Sequence, residues 1–139
     1  MGRRAVPPGR IAALSELADP GADATVFGEF LAALHTSAPV EAPVNSYRGV
    51  PPAGRAKGVS AGPARIDPAD RPAAPRTWEA AAAVPGWDGP PLWLHGSLPS
   101  ADIPVDRGRI GFVIDFDDLT GGDPTTDLSV AWTLFTADT

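Results

Sequence analysis

Pro39, Pro43, Pro51, Pro52, Pro63, Pro68, Pro72 and Pro75 fall in one run of the chain, and they limit what the remainder can be. Each proline removes a backbone donor and disfavours helix at the residue before it. Neither a long helix nor a central strand can therefore be drawn from Thr36 to Arg76. A stretch this long without periodicity is normally a lid, a linker or a disordered connection, and it is expected to be mobile. The ordered body must come from the residues on either side. Proline and glycine together, 17 and 15 of 139 residues, lie near the edge of what a packed domain carries, so the chain is one domain at most.

On the N-terminal side, Ile11 to Leu17 reads as a short helix. Asp23 to His35 is better patterned, because Phe27, Phe30, Leu31 and Leu34 recur at helical spacing and form one apolar stripe. Asp23 can cap its start, and Glu29 faces out. His35, at its end, suits the helix dipole better than a ligand set. Beyond the prolines, Arg76 to Val84 is an alanine-rich helix stopped by Pro85-Gly86. A final helix starts at Asp123-Pro124, an N-cap residue followed by a proline suited to the first turn. Its stripe is Leu128, Ala131, Trp132 and Phe135.

The chemistry is concentrated between Leu92 and Phe135. His95-Gly96-Ser97 follows a short apolar run, and Ile114-Asp115-Phe116 follows another. Between them, Ile103 to Val105 and Ile110 to Phe116 read as two strands joined by Asp106-Arg107-Gly108-Arg109, whose glycine suits a tight hairpin. Closing that hairpin brings the residues before its first strand near Asp115 at the end of its second. A phosphoryl-transfer site places a base beside a metal-binding carboxylate in this way. Most of the neighbouring acids, Asp106 and Asp118 among them, also read as solvated turn residues.

These motifs resemble the aminoglycoside phosphotransferase family, which has a protein-kinase-like fold. That family writes its catalytic loop His-Gly-Asp-Leu-His-Pro-Gly-Asn and its metal strand Ile-Asp-Phe-Gly-Asp, then Gly-Asp-Pro, two residues and Asp-Leu. Here the same spacing holds His95-Gly96-Ser97-Leu98-Pro99-Ser100-Ala101-Asp102, Ile114-Asp115-Phe116-Asp117-Asp118, Gly122-Asp123-Pro124 and Asp127-Leu128. The segments FLAALH and NSYRGVP also resemble pieces of that family. The resemblance implies catalytic positions at Ser97 and His95, Mg2+ held by Asp115 and Asp102, ATP as co-substrate, and a small hydroxylated or amino-alcohol acceptor. It implies as well that Asp127 ties its helix to the catalytic-loop backbone; read from its position alone, Asp127 is a dipole-favoured surface residue.

The departures matter as much. Ser97 stands where the family has its catalytic Asp, and Asp102 where it has Asn; Pro99 and Ala101 replace the loop His and Gly. A serine hydroxyl cannot take a proton near neutral pH as a carboxylate can. Lys57 is the single lysine, and no strand-Gly-strand pattern precedes Ile11, so the N-terminal nucleotide lobe is expected to be missing. The expectation is an α+β fold, the mainly helical C-terminal lobe of a kinase-like fold with a small catalytic β-hairpin. Residues 1–139 would form one partial phosphotransferase domain: 11–35 helical, 36–75 irregular, and 76–139 the catalytic-loop and metal-strand region. Activity would be weakened or lost. The alternatives are a non-catalytic, pseudokinase-type lobe that binds a metal or partner, and a fragment without function.

Composition excludes several other classes. Without cysteine there is no disulfide framework and no thiolate zinc site. No apolar run reaches the ~18 residues of a membrane helix, and no secretory leader is visible, so a cytoplasmic protein without membrane partners is expected. Up to Arg76 there are nine Lys/Arg against seven Asp/Glu; from Thr77 onward the balance is two against ten. Nucleic acid is therefore an unsuitable partner, since its phosphates need basic residues. Trp93, Phe112, Trp132 and Phe135 exceed what so small a core can cover, which leaves apolar surface for self-association.

Overall fold

The computed structural model describes residues 10–55, 59, 66–136 and 139. Its elements are β1 (Arg10–Ile11), α1 (Pro20–Leu34), α2 (Ala74–Ala83), β2 (Leu92–Leu94), β3 (Pro104–Asp106), β4 (Arg109–Ile110), β5 (Thr120–Gly122), α3 (Thr125–Leu128) and α4 (Ala131–Leu134). The class is α+β, built as two small antiparallel sheets, β1-β3-β4 and β2-β5, with few helices. It is less helical than the sequence led us to expect.

The hairpin forms where its loop residues place it. Val105 faces Ile110 and Asp106 faces Arg109. The two loop residues, Arg107 and Gly108, have φ of 48° and 77°. Positive φ at both positions matches the twist of the flanking strands. The second strand does not run to Phe116 as expected; it stops at Ile110. Opposite it, Pro104 has no N–H to give, and Ser100–Asp102 is wound into a 3-10 turn, so the ladder runs out of partners. Two bonds continue the approach: Gly111 N–H to the Pro104 carbonyl and Ile114 N–H to the Asp102 carbonyl, each 3.0 Å.

α1 also starts earlier than expected. Asp19, not Asp23, is its N-cap, accepting from Ala22 N–H at 3.0 Å, with Pro20 in the first turn. Asp23 is instead 1% exposed and ties α1 to β4, its Oδ1 accepting from Arg109 Nε at 2.9 Å and Ile110 N–H at 3.3 Å. Ile11 to Leu17 is not a helix. Ala12 N–H donates to the Ile103 carbonyl at 2.8 Å, and Ser15 Oγ donates to the Ile11 carbonyl at 3.0 Å. The first bond ties the segment to the backbone before β3 and the second occupies the Ile11 carbonyl, leaving β1 and one 3-10 turn. Phe27 and Leu31 of α1 close the core with Leu98, Ile103 and Val130.

The C-terminal helix splits into two single turns, α3 and α4, broken at Ser129-Val130. Its inward residue is Val130, at 3% exposed, whereas two members of the expected stripe, Leu128 and Trp132, are 46% and 85% exposed. Phe135 does pack inward, 6.2 Å from the Phe27 ring.

The first part of the proline-rich stretch is held by tertiary bonds despite lacking regular structure. Trp93 N–H reaches the Thr36 carbonyl and Ala38 N–H the Pro91 carbonyl at 2.8 Å, while Gly121 N–H reaches Pro43 and Asp123 N–H reaches Gly49 at 2.9 Å. Gly122 permits the close approach, since a Cβ there would lie 2.5 Å from the Gly49 oxygen. The remainder holds a 3-10 turn at Pro52–Arg55 and turns before α2. The expectations attached to Lys57 and to residues 60–65 lie outside the described residues.

Candidate active site

The loop that opens at His95 is fixed by one carboxylate. Asp127, the third residue of α3, is 0% exposed. Its Oδ2 accepts from His95 N–H at 2.8 Å and its Oδ1 from Gly96 N–H at 3.0 Å. A third bond comes from His35, whose Nε2 lies 3.1 Å from Asp127 Oδ2. Asp127 therefore ties helix to loop and is no surface residue. His35 does cap α1 through its backbone, but its ring serves Asp127. Gly96 sits at φ 85°, where a Cβ would run into the Asp118 carbonyl oxygen. The loop needs glycine there on both counts.

His95 is 0% exposed, its ring tilted against that of Phe116 with centroids 4.5 Å apart, and its Nε2 is 2.8 Å from the Ile114 carbonyl. A carbonyl only accepts, so Nε2 donates here; Nδ1 is buried without a partner. The fully buried ring is thus turned to the backbone just before Asp115. The next residue, Asp115, is exposed and takes a left-handed conformation, φ 65° and ψ 60°. That conformation is costly for a residue with a Cβ and persists only where the surroundings impose it.

Asp102 lies beside it, brought there by the Ile114–Asp102 backbone bond. Burial, and then the charge of Asp115, push the Asp102 carboxyl above its ordinary range, with His95 opposing. The Asp115 charge thus acts on Asp102 and is only partly offset, an arrangement a divalent cation relieves. Among the described residues no group of three or more His, Cys, Asp or Glu is placed to hold a metal. The pair fits a hard cation that takes its other ligands from water and phosphate.

Ser97 is half-buried, and its Oγ accepts a hydrogen bond from Arg48 Nη2 at 3.3 Å. Arg48 was not singled out from the sequence as a site residue. The local signal was present: Asn45 Oδ1 accepts from both Tyr47 N–H at 2.8 Å and Arg48 N–H at 3.2 Å, a turn that the Asn-Ser-Tyr-Arg order favours. Its contact across 49 residues could not be read from order alone.

A helix carboxylate thus pins the loop, and the hairpin returns an acid to it. The phosphotransferase enzyme family model matches residues 6–139, and the chain belongs to that family. Among solved structures it is similar to macrolide 2'-phosphotransferase MphH from Brachybacterium faecium, determined as the apoenzyme. The two share 25% identity and superpose with a TM-score of 0.55, over 94% of this chain and 48% of that one. This chain thus spans about half the length of that relative. No curated protein matches it.

Proposed function

We propose that the chain is the catalytic-loop lobe of a kinase-like phosphotransferase, residues 1–139 forming one partial domain. Its chemistry would be ATP- and Mg2+-dependent O-phosphoryl transfer to a small hydroxylated acceptor, strongly weakened by Ser97. Asp115 and Asp102 would hold the metal, which, when bound, neutralises phosphate charge. Asp127 and the buried His95 are positioning residues: the first orders the His95-Gly96 backbone, the second the Ile114-Asp115 backbone. The observation that carries the weakened reading is Ser97 itself. At the position that should take the acceptor's proton there is a hydroxyl, already receiving a bond from a guanidinium. General-base assistance is worth about 100- to 10,000-fold, and that factor is forgone.

The purified chain, given ATP, Mg2+ and an amino-alcohol acceptor such as kanamycin, is expected to transfer phosphate at near-background rate. Ser97→Asp alone should not restore turnover. Robust transfer by the parent chain would overturn the weakened reading.

The same observation favours one competing reading, a non-catalytic lobe that binds metal or a partner. Trp132, Tyr47 and Leu128, at 85%, 70% and 46% exposed, supply apolar surface for association. A concentration-dependent dimer that binds no nucleotide would decide for it. A cytoplasmic location belongs with either reading; among the described residues no helix is long and apolar enough to cross a membrane.

A further inference from the structure

The side chain that touches Ser97 belongs to an arginine with no counter-charge among the described residues. Ion pairs among the described residues are Arg109 with Asp23, Arg107 with Asp106 and His35 with Asp127; none involves Arg48. Its only side-chain hydrogen bond among them goes to the neutral Ser97 hydroxyl. The guanidinium is also anchored at its base. Arg48 N–H is held by Asn45 Oδ1, the next N–H donates to Thr126 Oγ1 at 2.9 Å, and the Gly49 carbonyl accepts from Asp123 N–H at 2.9 Å. Gly49 sits at φ 65°, and a Cβ there would lie 2.7 Å from Leu94 Cδ1, so the loop has little room to shift.

A half-buried, pre-positioned guanidinium without a carboxylate retains most of its donors for something else. Beside it stands a hydroxyl that can also donate. Together they present positive charge and hydrogen-bond donors, the chemistry that recognises a carboxylate or phosphate oxyanion. With a carboxylate at position 97 the guanidinium charge would be cancelled by an ion pair. With serine, it stays positive.

We infer that Arg48 and Ser97 form an oxyanion-binding subsite, so that the small hydroxylated ligand of this chain carries a negative charge next to its hydroxyl. This rests on the reading that Ser97 faces the acceptor, and it departs from the amino-alcohol class that the family resemblance implies. Binding needs neither ATP nor metal, so its test is separate from the test of turnover.

The experiment compares three hydroxylated probes of similar size and different charge: glycerate, glycerol and ethanolamine. Titrated separately into the intact chain without nucleotide, they are followed by amide chemical shifts at Ser97, Arg48 and Gly49. Glycerate is expected to bind at least tenfold more tightly than the other two, with shifts centred on these amides. Arg48→Gln should remove that preference, while Arg48→Lys keeps part of it. Ser97→Asp should cancel the charge and abolish the preference for glycerate. Its melting temperature should also rise, through the new ion pair with Arg48. Far-UV circular dichroism confirms that each variant is folded, and Arg48→Lys carries the test if Arg48→Gln is not. Equal affinity for all three probes in the parent, or a glycerate preference unchanged in Arg48→Gln and Arg48→Lys, would overturn the subsite. Inorganic phosphate serves as a fourth probe: binding of phosphate and glycerate assigns a general oxyanion site, and a response to glycerate alone assigns a carboxylate site.

Discussion

Two sets of acids lie on either side of the same loop, and their environments are opposite. Asp127 is fully buried and saturated, with two backbone amides and the His35 ring on its two oxygens. Asp115 is exposed, Asp102 is partly exposed, and neither carboxylate accepts a hydrogen bond from the described residues; what they share is mutual repulsion. A buried carboxylate with all its bonds made holds a fold together. A pair of like charges with no such bonds made carries some cost to stability. Three residues of one family pattern thus divide into one buried, fully bonded Asp and two open ones, although in sequence they are all simply Asp.

The largest effect should come from Asp127. Asp127→Ala leaves the His95 and Gly96 amides and the His35 ring without a partner in a buried place. Removing one member of such a network costs about 3–5 kcal/mol, a large share of a small domain's stability. Urea denaturation is expected to show the variant largely unfolded. A midpoint within experimental error of the parent's would remove the contrast with the binding pair.

Asp23→Ala should come second, losing the Arg109 bond and the Ile110 amide bond while the half-exposed Arg109 recovers water. A loss of about 1–3 kcal/mol is expected. Arg109→Ala should cost less, but should lose most of its additional effect in the Asp23→Ala background, as residues in one network do. Additive losses in that double-mutant cycle would show that the tie between α1 and β4 contributes little.

The binding pair is expected to respond to metal where Asp127 does not. Mn2+ at about ten times its dissociation constant stabilises by about 1.4 kcal/mol through mass action, visible as a rise in melting temperature of a few degrees. Asp115→Ala should abolish that rise and melt near the parent without metal. An identical metal response in the two proteins would mean that Asp102 and Asp115 do not form a site.

The smallest effect concerns pH. The Asp102 carboxyl is raised in the folded chain, so the folded state holds its proton more tightly than the unfolded state does. The penalty is absent below the ordinary carboxylate range, develops as pH rises through the raised value, and is complete above it. Asp102→Asn should therefore gain stability over the parent as pH rises from about 4 towards neutral, with no gain in acid. Solvent screening at this partly exposed group keeps the gain small. Stability curves of parent and variant that run parallel across that range would contradict the shift.

How much was legible depended on how local the cause was. The hairpin turn was visible because Arg107 and Gly108 set it by their own backbone angles. The α1 stripe was visible because Phe27 and Leu31 repeat at helical spacing within a single element. The start of α1 was also written in the chain. Asp19-Pro20 is an Asp-Pro pair of the kind that starts helices, but Asp23 offers a competing cap. The convergence of Asp102 and Asp115 followed from the hairpin once their order was known.

Tertiary structure alone decided the rest. Whether Asp127 was a surface residue or a buried anchor depended on amides 31 and 32 residues away, beyond any periodic signal. The C-terminal apolar stripe had helical spacing, yet the chain broke at Ser129-Val130 so that Val130 could reach the core formed by Phe27 and Ile103. Residues 36–49, aperiodic and proline-rich, are held because β2 and β5 offer edge amides and carbonyls to them. Arg48 reaches Ser97 for the same reason. Helical spacing and turn chemistry act over a few residues and are visible in order alone. A hydrogen bond across the fold depends on where two distant backbones come to rest, and that is settled only when the whole chain packs.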